Sequence, residues 1–338
     1  MKAVVWKGGH HFEVEQVPEP EPAPGQVVVK VEAAAICGSD LHMDEFGAMP
    51  PLVLGHEVAG TIHKLGAGVS SPRCGERVAL DPVQRCGTCW CCTQGMEHMC
   101  MNFRHLGWAG IAGGWAEYVA VDAANAHRVP ETVSFATAAL TEPVAVCYES
   151  FQRAALKQGD QVLIIGDGPF GFLHAQIAAA KGAGKIIVAG YFDKRLARIR
   201  AHTKAVTCNA RSEQLQEVID AEIVEPGLDV VIEATGNGAA PHIGISNLRP
   251  RGKLVLFGFI WSPEPLDMGT IHARELELLG SCRSLKAFDP CLELMALGKV
   301  RADLLVDVEV SLGGFHEAFE TMTKSKEDVF KAVLLPQA

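Results

Sequence analysis

The sequence predicts an α/β protein in two parts, one rich in strands and one of alternating strands and helices on a parallel sheet. Three observations carry this. The 338 residues give two domains at about 150 residues each. Short strand patterns separated by Gly and Pro fill the first half. From Gln161 the texture changes to apolar runs alternating with helix-like stretches.

The elements follow in chain order. Ala3-Val4-Val5-Trp6 opens as a short strand. After the Pro-rich turn Pro18–Pro24 come the strands Val27–Val31, Val58–Ile62 and Arg77–Leu80. Residues Ser134–Leu156 have helical apolar spacing and few breakers. Val162–Ile165 is a continuous apolar run, as a strand buried on both faces requires. A glycine-rich turn, a helix over Phe172–Lys181, a strand over Lys185–Ala189 and a charged helix over Lys194–His202 come next. Further strands are predicted at Asp229–Glu233 and Lys253–Phe257. Two successive strand–helix–strand units give a doubly wound dinucleotide fold. The boundaries are placed near residues 150 and 285, with the last ~50 residues returning to the first domain.

Composition narrows the function. Hydrophobic residues make up 48% and charged residues 21%, ordinary for a globular chain. The net charge is −10 with no basic stripe, which argues against nucleic acid as a partner. No apolar run approaches the ~20 residues that span a bilayer, so no membrane partner is expected. Met1 is followed by a strand pattern rather than a signal core, so a cytoplasmic location and a small-molecule substrate are expected.

Eleven cysteines are many for a reducing compartment, and five of them fall between Cys86 and Cys100. Cys86, Cys89, Cys92 and Cys100 have the spacing of a four-thiolate zinc loop, with Cys91 skipped. Such a site has no position left for water and is structural. The plainer alternatives are free buried thiols or an oxidised cluster. Cys91 points outward or substitutes for a neighbour.

A second constellation lies elsewhere: Cys37-Gly38-Ser39-Asp40-Leu41-His42, Gly55-His56-Glu57, and Glu142 in an apolar stretch. Each is weak alone. A lone Cys is commonly a small buried hydrophobe, Ser39 suits a helix N-cap, and Glu142 suits a helix start. The turn Gly166-Asp167-Gly168-Pro169-Phe170-Gly171 follows a strand and opens a helix. That is the context in which G-x-G-x-x-G brings backbone N–H groups to a pyrophosphate.

Taken in order, these motifs resemble the zinc-dependent medium-chain dehydrogenase/reductase family, in particular its sorbitol (polyol) dehydrogenase branch. The resemblance covers essentially the whole chain. Pro22-Ala23-Pro24-Gly25, Gly113-Gly114-Trp115-Ala116-Glu117-Tyr118 and Glu142-Pro143 complete the set. It implies a GroES-like β-rich catalytic domain over 1–150 and 285–338, and a doubly wound Rossmann cofactor domain over 151–284. It also implies a catalytic zinc held by Cys37, His56 and a glutamate. Glu57 is the usual third ligand of this branch; Glu142 is an alternative ligand or the partner of the metal's water. The alcohol dehydrogenase branch has Cys where Glu142 stands, so Glu142 favours the polyol branch.

By the same resemblance, Ser39 and His42 match a relay that carries the substrate's proton to solvent. Arg283 aligns with an arginine near substrate, although Ser284 stands where that branch often has Tyr. Trp115, Phe46, Phe259, Trp261 and the segment 283–288 are expected to shape the pocket. Gly190, the family's ribose-selector position, carries no acid. A 2′-phosphate meets no repulsion there, so NADP is expected, with Lys194 or Arg195 pairing the phosphate; the alternative is NAD, its ribose taken by Asp193 or loop backbone. Ala234, Thr235 and Gly258 are expected at strand ends facing the cofactor. Family members are usually homodimers or homotetramers.

The function expected is hydride transfer between NAD(P) and a secondary alcohol of a polyol, sugar alcohol or cyclitol. A secondary-alcohol or threonine dehydrogenase is the alternative on the same fold. A non-enzymatic zinc or NADP-binding protein would lack the catalytic set present here, and a zinc-free quinone reductase would lack the cysteine loop and Gly55-His56-Glu57.

Overall fold

The computed structural model describes residues 1–325 and 327–338. Its contacts divide the chain into two compact units, Met1–Ala145 with Ser284–Ala338, and Val146–Arg283.

In the first unit, the strand Gln26–Ala35 is longer than its valine run. It pairs antiparallel with Glu57–Leu65, Tyr118–Asp122 and Lys331–Leu334. Ala35 lies opposite both Glu57 and Val333. That register brings Cys37, the start of the Glu57 strand and the start of the C-terminal strand to one end of the sheet. The first strand, Lys2–Gly8, does not alternate in burial. Val4 and Trp6 pack in the main core, and Ala3 and Val5 pack with Ala116.

The helical stretch read over Ser134–Leu156 is two helices, Phe135–Ala139 and Thr141–Ala154. Ser134 caps the first, its Oγ accepting the Thr137 N–H at 3.2 Å. Pro143 is the reason for the break. It has no N–H to donate, so it fits only in a first turn, and the second helix begins two residues before it.

The second unit holds a six-stranded, wholly parallel sheet: Gln161–Ile165, Lys185–Gly190, Val206–Asn209, Leu228–Glu233, Leu248–Leu256 and Glu277–Gly280. In that numbering the spatial order is 3-2-1-4-5-6, the doubly wound dinucleotide order. Val206–Asn209 and Glu277–Gly280 are short, and their apolar content does not set them apart in the sequence. The helix after the glycine turn starts at Pro169, three residues earlier than its periodicity indicates, because proline suits the first helical position.

His174, on that helix, is fully buried. Its Nδ1 lies 2.8 Å from the Phe170 carbonyl and its Nε2 2.8 Å from Ser150 Oγ. Burial pushes its pKa down to about 4. The unfolded chain therefore takes up this proton first as pH falls below about 6.5. Stability is complete above that value and is lost down to pH about 4, by about 3 kcal/mol in total. His174→Gln is expected to remove this part of the slope, read as the difference in urea-unfolding free energy across that window.

Candidate metal centres and cofactor turn

Cys37 follows the long strand and occupies the N-cap position of the 3₁₀ turn Gly38–His42. Asp40, in that turn, is buried and does two things. Its Oδ2 accepts the Cys37 N–H at 2.9 Å, and its Oδ1 lies 3.3 Å from His56 Nδ1. A carboxylate behind a histidine fixes the ring and leaves Nε2 as the free nitrogen. This corrects the N-cap reading of Ser39: it sits half-buried inside the turn, and the capping geometry belongs to Cys37 and Asp40. His42 is exposed, with Nδ1 3.1 Å from Glu45 Oε1.

Donor atoms of Cys37, His56 and Glu57 lie within 4.8 Å of one another, and all three side chains are buried. Glu57 is 0% exposed. Its Oε1 accepts from Lys331 Nζ, and its Oε2 is buried with no hydrogen-bond partner among the described residues. A bare buried carboxylate oxygen is costly. Beside a thiol and a histidine, it is the donor set of an open zinc site. The residues therefore fit the metal.

The charges agree. Burial pushes His56 down, but the Asp40 carboxylate and then Cys37 outweigh it and hold the ring well above its ordinary value. Burial also pushes Lys331 down, and Glu57 and Cys37 outweigh it. Glu142 is pushed up to about 7 by burial; His56 pulls it down and Glu57 pushes it up. Glu142 thus feels this cluster without joining it, which leaves Glu57 as the carboxylate among the three grouped donors.

Two participants went unread in the sequence. Asp40 lies inside the Cys37–His42 motif, and its signal is a carboxylate three residues after Cys37. Lys331 is 2% exposed in the side chain, and its sole signal is a lysine inside the apolar run Val329–Leu335.

Trp115 is corrected from pocket wall to core. It is 0% exposed and packs on Phe12 and Phe315, and its Nε1 donates to the Ala35 carbonyl at 3.3 Å. Gly55 has φ +92°, and a Cβ there would overlap the Trp115 indole. The tryptophan therefore supports the backbone that presents His56 and Glu57. Phe46 remains half-buried and faces Trp108, ring centres 6.3 Å apart. Phe259 and Trp261 lie exposed together in the second unit, and the half-buried Arg283 is that unit's last residue.

The other cluster is Cys86, Cys89, Cys92 and Cys100, with Cys91 outside it. Sulfur separations are 3.5 Å for Cys89–Cys92, 3.8 Å for Cys89–Cys100 and 3.5 Å for Cys100–Cys86. Among the described residues, none of the eleven cysteines is joined in a disulfide. Backbone N–H groups aim at the sulfurs: Cys89 N at Cys86, Cys86 N at Cys100, and Met101 N at Cys89. The N–H groups of Thr88 and Cys89 bring the Cys86 thiol down to about 5, while burial takes Cys92 up to about 12. Four sulfurs this close, with no water position, fit one tetrahedral ion. Cys89→Ser is expected to cost at least about 2 kcal/mol, a fall in Tm of roughly 4–8 °C. Thermal unfolding with and without added zinc checks this.

In the second unit, Gly166 has φ +130°, which a side chain would resist, and Gly168 is the N-cap of the helix Pro169–Ala180. A Cβ on Gly171 would overlap the Gly166 carbonyl. The turn is thus a bare backbone cradle at a helix N-terminus, and it fits a pyrophosphate. Phe170 turns its ring to Phe257, centres 4.9 Å apart, so backbone is what it offers the turn. Ala234 and Thr235 follow the strand Leu228–Glu233. Buried Glu233, unread in the sequence, takes the N–H groups of Thr235 and Gly236 on Oε1 at 2.6 and 2.8 Å. Gly258 sits against Glu233 and Gly236, where a Cβ would overlap the Gly236 N–H. Lys194 is exposed, and Arg195 stands over the Phe192 ring at 5.3 Å. Gly190 itself carries no acid, and the side chain of Asp167, from the glycine turn, occupies the space of its missing Cβ.

Residues 23–131 match the alcohol dehydrogenase GroES-like domain, and residues 169–297 match the zinc-binding dehydrogenase domain. Sorbitol dehydrogenase of Bacillus subtilis (strain 168) is 31% identical, over 99% of this chain and 97% of its own length. The chain belongs to the zinc-dependent medium-chain dehydrogenase family. Among solved structures, a zinc-binding dehydrogenase from Sinorhizobium meliloti 1021 bound to NADP is 30% identical with TM-score 0.91. An alcohol dehydrogenase from E. coli CFT073, complexed with NADH, is 28% identical with TM-score 0.92. Each covers 99% of this chain and 99% of itself. The GroES-like match lies within the first unit, and the zinc-binding dehydrogenase match covers most of the second and runs on to residue 297.

Proposed function

We propose that this chain is a zinc-dependent dehydrogenase that transfers hydride between the secondary alcohol of a polyol, sugar alcohol or cyclitol and NAD(P). The observation that carries it is the bare buried Oε2 of Glu57 beside Cys37 and His56. These three residues would hold the catalytic zinc, and Cys86, Cys89, Cys92 and Cys100 the structural one. The bound ion supplies Lewis-acid polarisation of a substrate oxygen, and a bound nicotinamide supplies the hydride acceptor.

The chain's own residues do the rest. Asp40 sets the His56 tautomer and holds the Cys37 backbone. Lys331 occupies Glu57 Oε1, so Oε2 is the oxygen presented. Ser39 takes the substrate's proton, and exposed His42, beside Glu45, releases it to solvent. Glu142, whose carboxyl burial pushes up to about 7, holds or releases a proton near neutrality beside the cluster. In the second unit the Gly166–Gly171 turn binds the pyrophosphate, flanked by Ala234, Thr235 and Gly258. Arg283 contributes to substrate binding.

No helix among the described residues is long and apolar enough to cross a membrane. A cytoplasmic setting is proposed because clustered free thiols suit a reducing compartment. A homodimer or homotetramer is proposed because the strand Glu277–Gly280 ends its sheet with one edge unpaired among the described residues.

A spectrophotometric panel of polyols, cyclitols, threonine and simple alcohols against NAD and NADP tests the reading. Turnover confined to secondary hydroxyls of the polyol class is expected. Absence of hydride transfer from every alcohol, with both zinc sites filled, would contradict it.

A further inference from the structure

In a doubly wound dinucleotide sheet, the acid that reads the adenosine ribose stands at the end of the second strand. Here that strand, Lys185–Gly190, ends in a glycine. The space is not empty. A Cβ on Gly190 would overlap Cβ and Cγ of Asp167, the second residue of the glycine turn on the adjacent strand. Asp167 is 7% exposed. Its Oδ2 accepts the N–H groups of Tyr191 and Phe192, both at 2.7 Å. The carboxylate that one strand lacks is supplied by its neighbour and fastened to the loop that follows Gly190.

We propose that Asp167 is the residue by which this chain discriminates the adenosine ribose, admitting a 2′-hydroxyl and excluding a 2′-phosphate, so that NAD(H) is bound in preference to NADP(H). The inference rests on the second unit binding a dinucleotide at its glycine turn. Two physical effects act together. A phosphate dianion placed beside a buried carboxylate is repelled at low dielectric. The loop N–H groups of Tyr191 and Phe192, donors that a phosphate would otherwise recruit, are already bonded to Asp167. Gly190 then has a stated reason: any side chain there would expel Asp167. Two guanidinium groups oppose it: that of Arg211 lies 5.3 Å from the Tyr191 ring centre and 4.9 Å from that of Phe192, and that of Arg195 lies 5.3 Å from the Phe192 ring centre.

The test is equilibrium binding of NADH and NADPH, followed by nicotinamide fluorescence, to the zinc-loaded wild-type chain, Asp167→Ala and Arg211→Ala. Wild type is expected to bind NADH at least ~10-fold more tightly than NADPH, and Asp167→Ala to bring the two within ~3-fold. A second variant guards against a folding defect. Asp167→Gly combined with Gly190→Asp returns the acid from the strand end, and it is expected to restore the NADH preference. Wild type preferring NADPH would overturn the proposal. So would an unchanged ratio in a folded Asp167→Ala, above all if Arg211→Ala alone weakens NADPH. If neither nucleotide binds wild type, the dinucleotide reading itself fails and takes this inference with it. A shift in the ratio alone bears on Asp167 and leaves that reading intact.

Discussion

Cys37→Ser is expected to lower kcat by at least ~10³-fold while the far-UV spectrum and Tm stay close to wild type. The thiol lies at the end of the long strand, 5% exposed, and the hydroxyl that replaces it is nearly isosteric. Packing is therefore preserved. What is lost is the soft anionic donor that zinc prefers. Asp40 and His56 keep their pairing in the variant, so the loss belongs to metal binding rather than to local unfolding. Zinc content measured on the same sample should fall by about one ion per chain, with the four-cysteine site still filled. A variant that kept its turnover would remove Cys37 from the metal set.

Lys331→Met is expected to be harsher, because it damages fold and site together. Glu57 and Lys331 are both buried, and each is the other's countercharge. Removing one partner of such a pair typically costs about 3–5 kcal/mol, since an uncompensated buried charge remains. The abandoned Glu57 oxygen must then find a proton or another cation, so catalytic zinc affinity and kcat should both fall. Combining Lys331→Met with Glu57→Gln should recover about half or more of the lost stability, because no buried charge is left behind, but none of the turnover. Urea unfolding of the four proteins of this cycle separates the two effects. Equal instability in the single and the double variant would show that Lys331 acts through packing alone.

Much of this molecule was readable from its residues. The run Val162–Ile165, the glycine turn and the alternating strands and helices specify a parallel sheet because buried strands and phosphate-binding turns leave strong local signals. The spacing of Cys86, Cys89, Cys92 and Cys100 is local too, and the structure brings those four together and leaves Cys91 aside. What stayed hidden depends on register between distant segments. Lys331 meets Glu57 across 274 residues, through strand pairings that no local pattern encodes. Asp167 fills the place of a missing side chain 23 positions away, visible once the two strands lie side by side. Trp115 misled in the opposite direction. A large aromatic in a family motif suggests a pocket wall, yet its ring is the packing partner of Gly55.

Metal analysis paired with graded chelation tests the central claim most directly. Two zinc ions per chain are expected. Loss of the ion held by Cys37, His56 and Glu57 should abolish turnover with the fold intact, and added zinc should restore it. Full turnover from protein stripped of that ion would contradict it.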